Sequence, residues 1–461
     1  MLQQVEYEPK KFLDWLERLF KKGQSLQSSR SRKKLVRTGK ALALIIAGYG
    51  AILVSFAAAL LLVDSRLPLW FYLAHGFIAF VAFPFMTILV LSIVTLLASA
   101  LIVNPRQSRL ILASKQKLAD HHGIKIAVIG SYGKTTMKEL LYTILSESKN
   151  VAKTPGNMNT AYSQARFIQR LSGEEDVVIV EFGEGEPGDV AYMSQNIQPD
   201  YAVITGLAPN HLDYYPSVDA VAEDLFSVQK HSKARVFASA ESEMLKPHID
   251  KEVETFSTTK VLGWTISKPV VSVTSTQFTM KKGRQTLEIS CGLLGRHQIA
   301  PVAFGAALAM ELGLSTKQVE AGCAKIKPFD HRMQPRHIGG GWIIDDTYNG
   351  NIEGMVAGIK LLSELDFTRK WYVTPGLVDQ GSETKSVHIT LGETLAAFPP
   401  DTVVLMNNSA RPIIEKAMRD NGYRGDLRIE SNPLGFYTSI EHRIAAGDIV
   451  LMQNDWTDNY A

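Results

Sequence analysis

Along residues 124–314 the apolar positions switch repeatedly between short unbroken runs and a spacing of three or four. Ile124-Lys125-Ile126-Ala127-Val128-Ile129 is apolar and β-branched, which predicts a buried strand. Met137, Leu140, Leu141, Ile144 and Leu145 then recur at helical spacing, so a helix opens right after the intervening loop. Asp176–Glu181 and Tyr201–Thr205 predict two more buried strands, 270–290 a two-strand β insertion and 298–314 an alanine-rich helix. Past residue 330 the pattern restarts. Trp342–Asp346 reads as a strand that delivers two acids to a sheet edge, followed by helix 352–364 and strands 370–374, 402–406 and 448–452. Such alternation predicts parallel sheets wrapped by helices.

The first hundred residues follow another pattern. Residues 41–63 are continuously apolar and as a helix would run about 35 Å, enough for a ~30 Å hydrocarbon core. Residues 67–103 are also apolar but would run roughly 55 Å, too long for one untilted span, and Pro84 divides them. Lys and Arg flank the outer ends, while the connection carries only Arg66. This predicts an α-helical transmembrane hairpin over 41–104 in the cytoplasmic (inner) membrane, with both ends in the cytoplasm. Residues 1–40 form a basic juxtamembrane segment with Arg30, Arg32, Lys33, Lys34, Arg37 and Lys40. Within it 9–22 is an amphipathic helix that suits a membrane interface or the surface of its own protein equally.

At 461 residues, two or three domains are expected. The net charge of +3 is too small to point to nucleic acid. Cys291 and Cys323 lack metal-ligand spacing and read as buried free thiols in a reducing compartment.

The candidate chemistry begins at Gly130-Ser131-Tyr132-Gly133-Lys134-Thr135-Thr136. Between a strand and a helix, two glycines let backbone N–H groups close on phosphate oxygens, and the helix N-terminus adds partial positive charge. Lys134 is expected to reach a terminal phosphate as the cradle's only cation, and the Thr135 hydroxyl to ligate Mg²⁺. The full P-loop pattern would have glycine where this chain has Val128. Glu181 and His211 follow strands whose carboxyl ends face this loop, where they could hold a second Mg²⁺. Asp345 and Asp346 are placed to close over a nucleotide. The expected fold class is α/β: a P-loop-type central ATPase domain over 105–330 and a smaller Rossmann-like C-terminal domain over 331–461, preceded by the transmembrane hairpin.

Gly-Ser-Tyr-Gly-Lys-Thr-Thr, Gly156-Asn157-Met158-Asn159, Val180-Glu181-Phe182-Gly183, His211-Leu212-Asp213, Leu294-Gly295-Arg296-His297, His331-Arg332-Met333 and Asp345-Asp346-Thr347-Tyr348-Asn349-Gly350-Asn351 stand in an order that resembles the Mur ligase family over roughly 124–395. The resemblance implies ATP-dependent amide-bond formation with ATP and Mg²⁺: a substrate carboxylate becomes an acyl phosphate, and an amine such as D-alanyl-D-alanine displaces phosphate. It implies catalytic roles for Lys134, His211 and Arg332. ATP would be bound by Gly130, Ser131, Tyr132, Gly133, Lys134, Thr135, Thr136, His297, Gln298, Arg332 and Asp346. Thr135, Glu181 and His211 would hold metal, Asn157 and Asn159 would line the substrate side, and Tyr348 and Asn349 the amine side. Implied partners are a muramyl-peptide-like acceptor, soluble or lipid-linked, an amino acid or dipeptide amine, and the lipid bilayer.

Four departures qualify the carry-over. The family's two asparagines near adenine are Gln298 and Pro301, and its Thr-Asn-Ile is Thr205-Gly206-Leu207. The lysine that many members carbamylate falls on Leu225, with Asp224 the nearest substitute carboxylate. The family's Lys-Gly-Ser-Arg is Gln453-Asn454-Asp455-Trp456. The family's first, uridine-nucleotide-binding domain is expected to have no counterpart here, with the hairpin taking its place. Two alternatives stay open: a poly-γ-glutamate-synthase-like or other membrane peptide ligase, and a non-catalytic ATP-binding membrane module.

Overall fold

The computed structural model describes residues 97–454, apart from 157, 210, 211, 213, 349, 379, 381 and 382, together with 42, 46 and 50. The predicted segment 1–40 and nearly all of the hairpin over 41–104 lie outside the described residues. Among those described, no helix is long and apolar enough to cross a membrane. The chain divides into two compact units, Met1–Arg109 and Leu110–Ala461. In the first, 97–109 is helical, with Leu97, Leu101 and Ile102 exposed.

Among its described residues, the second unit holds three sheets. The first contains β1 (Ile124–Ile129), β2 (Val151–Lys153), β3 (Val177–Glu181), β4 (Tyr201–Ile204), β5 (Arg235–Ser239) and β6 (Val253–Phe256). Its order is β2-β3-β1-β4-β5-β6, and every pairing is parallel. Strand β1 is apolar on both sides because both are covered: Ile126 and Val128 enter one core, Ala127 and Ile129 the other. Helix α1 (Lys134–Leu145) buries Met137, Leu140, Leu141, Ile144 and Leu145, as its spacing predicts. Each such side chain contributes roughly 1.5–3 kcal/mol on burial. Helix α2 (Val218–Phe226) sits over the opposite face, and α3 (Ile299–Glu311) packs against α1. The approach of α3 is close: a Cβ on Gly305 would fall 2.6 Å from Leu140 Cδ1.

The predicted two-strand insertion is a four-stranded antiparallel sheet, ordered β10-β9-β8-β7. It comprises β7 (Lys260–Val261), β8 (Trp264–Val271), β9 (Thr276–Lys282) and β10 (Gln285–Cys291). Strand β8 escapes the periodicity because its second half is exposed, contains Pro269 and is broken by a register shift between Ser267 and Val270.

The third sheet contains β11 (Gln334–Ile338), β12 (Gly341–Asp346), β13 (Arg369–Thr374), β14 (Thr402–Met406), β15 (Asp426–Glu430) and β16 (Asp448–Gln453), with helix α4 (Ile352–Glu364) following β12. Its order is β11-β12-β16-β13-β14-β15. The two acids therefore end an interior strand, not an edge. The polar strand β11 takes the edge by antiparallel pairing, and the last strand inserts between β12 and β13. Cys291 and Cys323 are buried free thiols, as expected.

Candidate active site

Strand β1 ends at Ile129 and α1 begins at Lys134, so the four residues between them make the turn. Gly133 caps the helix with φ +76°, a left-handed conformation that glycine adopts without a Cβ clash. The loop is held from β4: Ser131 N–H donates to the Gly206 carbonyl at 2.8 Å, and Thr205 Oγ1 contacts the Ile129 and Tyr132 carbonyls.

Lys134 is not the cradle's only cation. Its ammonium donates to the Gly130 carbonyl and to Glu184, 2.8 and 3.1 Å from the two carboxylate oxygens. One turn on, Lys138 is fully buried, with Nζ 2.9 Å from Glu181 Oε2 and 2.6 Å from the Gly156 carbonyl. Neither Glu184 nor Lys138 emerges from the sequence reading. The available signal was a lysine four residues after Lys134, placed among the apolar positions of α1, which demands a buried partner. Glu181 closes the group. Thr154 Oγ1 accepts from its N–H at 3.0 Å, Gln164 donates to its carbonyl at 2.8 Å, and its Oε2 accepts from Thr135 Oγ1 at 3.2 Å. Thr135 and Glu181, expected on two different ions, are thus neighbours.

Asp224 does not reach this group. It accepts from Tyr215 Oη at 2.8 Å and faces Val190 N–H, while Leu225 is fully buried in the core under α2. Burial, together with this same contact, drives the Tyr215 phenol far above its usual range.

Among the other predicted residues, His297 and Gln298 lie on the short turn before α3. Burial pushes the His297 imidazole down to about 4, so it is neutral near pH 7. Asp346 accepts from Met333 N–H at 3.1 Å and Gln453 Nε2 at 2.8 Å, yet burial still pushes its carboxyl up to about 6. Gln453 thus takes up Asp346 at a departure from the family pattern. Asp345 turns away to His331 and to Thr347, which it caps. The Arg332 guanidinium stacks 4.7 Å over the Tyr348 ring. Asn159 accepts through its carbonyl from Gly183 N–H at 2.8 Å, beside Glu184. Asn157, His211 and Asn349 lie outside the described residues.

Tyr132, Gly133, Thr136, His297, Gln298, Arg332, Asp346 and Tyr348 line one cleft of about 890 Å³. That volume falls within the ~300–1,000 Å³ usual for small-molecule sites. Across the cleft the Tyr132 hydroxyl donates to Glu353, in the first turn of α4. Burial pushes that carboxyl up to about 7. The sequence reading does not single out Glu353. The donor set suits a nucleotide phosphate at Lys134 and Mg²⁺ at Thr135 and Glu181. Among the described residues, no group of three His, Cys, Asp or Glu side chains stands ready to hold a metal ion alone.

A strand–loop–helix phosphate cradle on a parallel sheet, in a chain that carries a second α/β sheet, defines a nucleotide-binding class of protein. Residues 128–309 match the model of the Mur ligase middle domain. The chain is 27% identical over 296 residues to the UDP-N-acetylmuramoyl-tripeptide–D-alanyl-D-alanine ligase of Escherichia coli K12, covering 62% of itself and 65% of that relative. It is 23% identical over 340 residues to the Bacillus subtilis ligase of the same name, covering 71% and 72%. In fold it resembles MurF from Thermotoga maritima, solved in complex with ADP, with TM-score 0.65, 24% identity and 76% and 80% coverage. MurF from Acinetobacter baumannii gives TM-score 0.65 at 19% identity, covering 76% and 77%. The chain thus spans just under two thirds of its E. coli relative.

Proposed function

We propose that the chain is an ATP-dependent amide-bond ligase of cell-wall precursor synthesis, forming ADP and phosphate. The observation that carries this reading is the shared cleft, where the phosphate loop faces His297, Arg332 and Asp346. A carboxylate oxygen of a muramyl-peptide-like substrate attacks the γ-phosphorus while the bond to ADP breaks. The amine of D-alanyl-D-alanine or a similar compound then attacks the acyl phosphate carbon, and the C–O bond to phosphate breaks as the nitrogen loses its proton. Phosphoryl transfer depends mainly on positioning and charge neutralisation.

In this reading Lys134 exchanges Glu184 for phosphate oxygens, and Arg332, stacked on Tyr348, meets the γ-phosphoryl group. His297 and Gln298 border the base, and Asp346, oriented by Gln453, accepts from the ribose. Asn157 and Asn159 serve the carboxylate substrate, Tyr348 and Asn349 the amine. Mg²⁺ arriving with the nucleotide, with Thr135, Glu181 and His211 as its proposed ligands, would neutralise phosphate charge. ADP release by the purified protein should require both the carboxylate and the amine. ATP binding without ADP release when both are supplied would leave the non-catalytic ATP-binding-module reading in its place, and release indifferent to either would refute the ligase reading.

The apolar runs 41–63 and 67–103 favour a refinement. We propose that they anchor the chain at the inner membrane with residues 105–461 in the cytoplasm. A lipid-linked acceptor would then be concentrated beside the cleft by confinement. A chain beginning at residue 105 should lose efficiency on a lipid-linked acceptor in vesicles. Full activity of the complete chain on the soluble nucleotide-linked substrate, with none on the lipid-linked one in vesicles, would rule the refinement out.

A further inference from the structure

Lys138 is the most deeply placed charge in the site, fully buried with its ammonium on Glu181 and the Gly156 carbonyl. A lysine is rarely buried so completely, and a buried ion pair is a poor stabilising device compared with apolar packing. Its neighbours suggest what the charge is for. Lys138 joins α1, the carboxylate that ends β3 and the segment that leads from Gly156 to Asn159, so it sits between the phosphate loop and the side assigned to the carboxylate substrate.

Thr135 Oγ1 and Glu181 Oε2 stand 3.2 Å apart. Adjacent ligands of an octahedral Mg²⁺ at ~2.1 Å are themselves about 3 Å apart, so these two oxygens suit one ion. Glu181 Oε2 is also the oxygen that Lys138 engages at 2.9 Å, so the carboxylate already faces one fixed cation. The position where a carbamylated lysine would stand is Leu225, and Asp224 beside it is committed to Tyr215. We propose that this centre is built for a single divalent cation, with the Lys138 ammonium as its second positive charge. The proposal takes its meaning from the ligase reading but not its test.

The test counts metal ions. Mn²⁺ is titrated by electron paramagnetic resonance into the full chain saturated with a non-hydrolysable ATP analogue. Wild type should hold one Mn²⁺, whereas Lys138→Gln, which frees Glu181, should take up a second at least tenfold more tightly than wild type. A lysine of merely structural importance would lower stability without creating a metal site. Two ions in wild type, or one in both proteins, would overturn the proposal. Should Lys138→Gln fail to fold, the wild-type count decides alone: one supports the proposal and two overturns it. Failure of the ligase reading would look different, as ADP release that ignores carboxylate and amine while the metal count stays readable.

Discussion

The ring of Tyr132 stands where a side chain at residue 206 would be: a Cβ built on Gly206 falls 2.2 Å from the tyrosine Cζ. The departure from Thr-Asn-Ile at Thr205-Gly206-Leu207 therefore has a partner in the phosphate loop. The ring fills the space, and its hydroxyl reaches Glu353 across the cleft. Gly206→Asn should push the ring out, costing about 1–3 kcal/mol of stability from overpacking and weakening nucleotide binding. The double variant Tyr132→Ser/Gly206→Asn should recover stability. Thermal melts and nucleotide titrations of the three proteins check this, and an undisturbed single variant would mean that the ring yields freely.

Lys134→Ala should lower turnover at least about a hundredfold, because a cation aimed at developing phosphate charge is worth ~3 kcal/mol or more. It also strands Glu184, which is 3% exposed and pairs with Lys134 at 2.8 Å. Leaving such a carboxylate unpaired costs about 3–5 kcal/mol. Lys134→Met/Glu184→Gln separates the two effects: stability should return and turnover should not. Steady-state kinetics beside denaturation curves will show whether it does.

The Glu353 carboxyl gives stability a pH dependence. Burial raises it from 4.5 to about 7 in the folded chain, so the folded state binds its proton more tightly than the unfolded one. Its contribution is then fully present below about pH 4.5 and is lost as pH rises through 7. Glu353→Gln should match wild type near pH 5 and exceed it by roughly 1–3 kcal/mol at pH 8. Asp346, raised to about 6, should leave a residual slope of the same sign between pH 4 and 6. Urea unfolding at pH 4, 5, 6 and 8 measures both, and a variant less stable than wild type at pH 8 would refute the assignment.

Asp224→Asn should leave the Mg²⁺ requirement within twofold of wild type, because the carboxylate serves Tyr215 rather than a metal. Asparagine keeps an acceptor but not the charge, so about 1 kcal/mol of stability should be lost. A Mg²⁺ titration displaced tenfold would return Asp224 to the metal site.

Much of this site was local and so legible in the residue order. Strand, loop and helix at 124–145 are signalled by one apolar run, two glycines and one helical repeat within a single short stretch, although β1 forms only by pairing with the distant β3 and β4. Asp346, the turn at 296–298 and Arg332 were likewise placed at the cleft by motif order, whereas Asp345, expected there too, turns away to His331 and Thr347. The number of strands in the insertion, the edge strand β11 and the interior position of β16 depend on pairing between distant segments. Period alone does not reveal them when half of a strand is exposed. The same holds for the charges. Nothing in the order of residues couples Lys138 to Glu181, Lys134 to Glu184, Tyr132 to Gly206 and Glu353, or Asp224 to Tyr215. The sequence alone named most of the groups that the fold gathers around one cleft. Only tertiary structure decided how each is held between ligands, because a buried charge must find its partner wherever the folded chain brings one within hydrogen-bond reach.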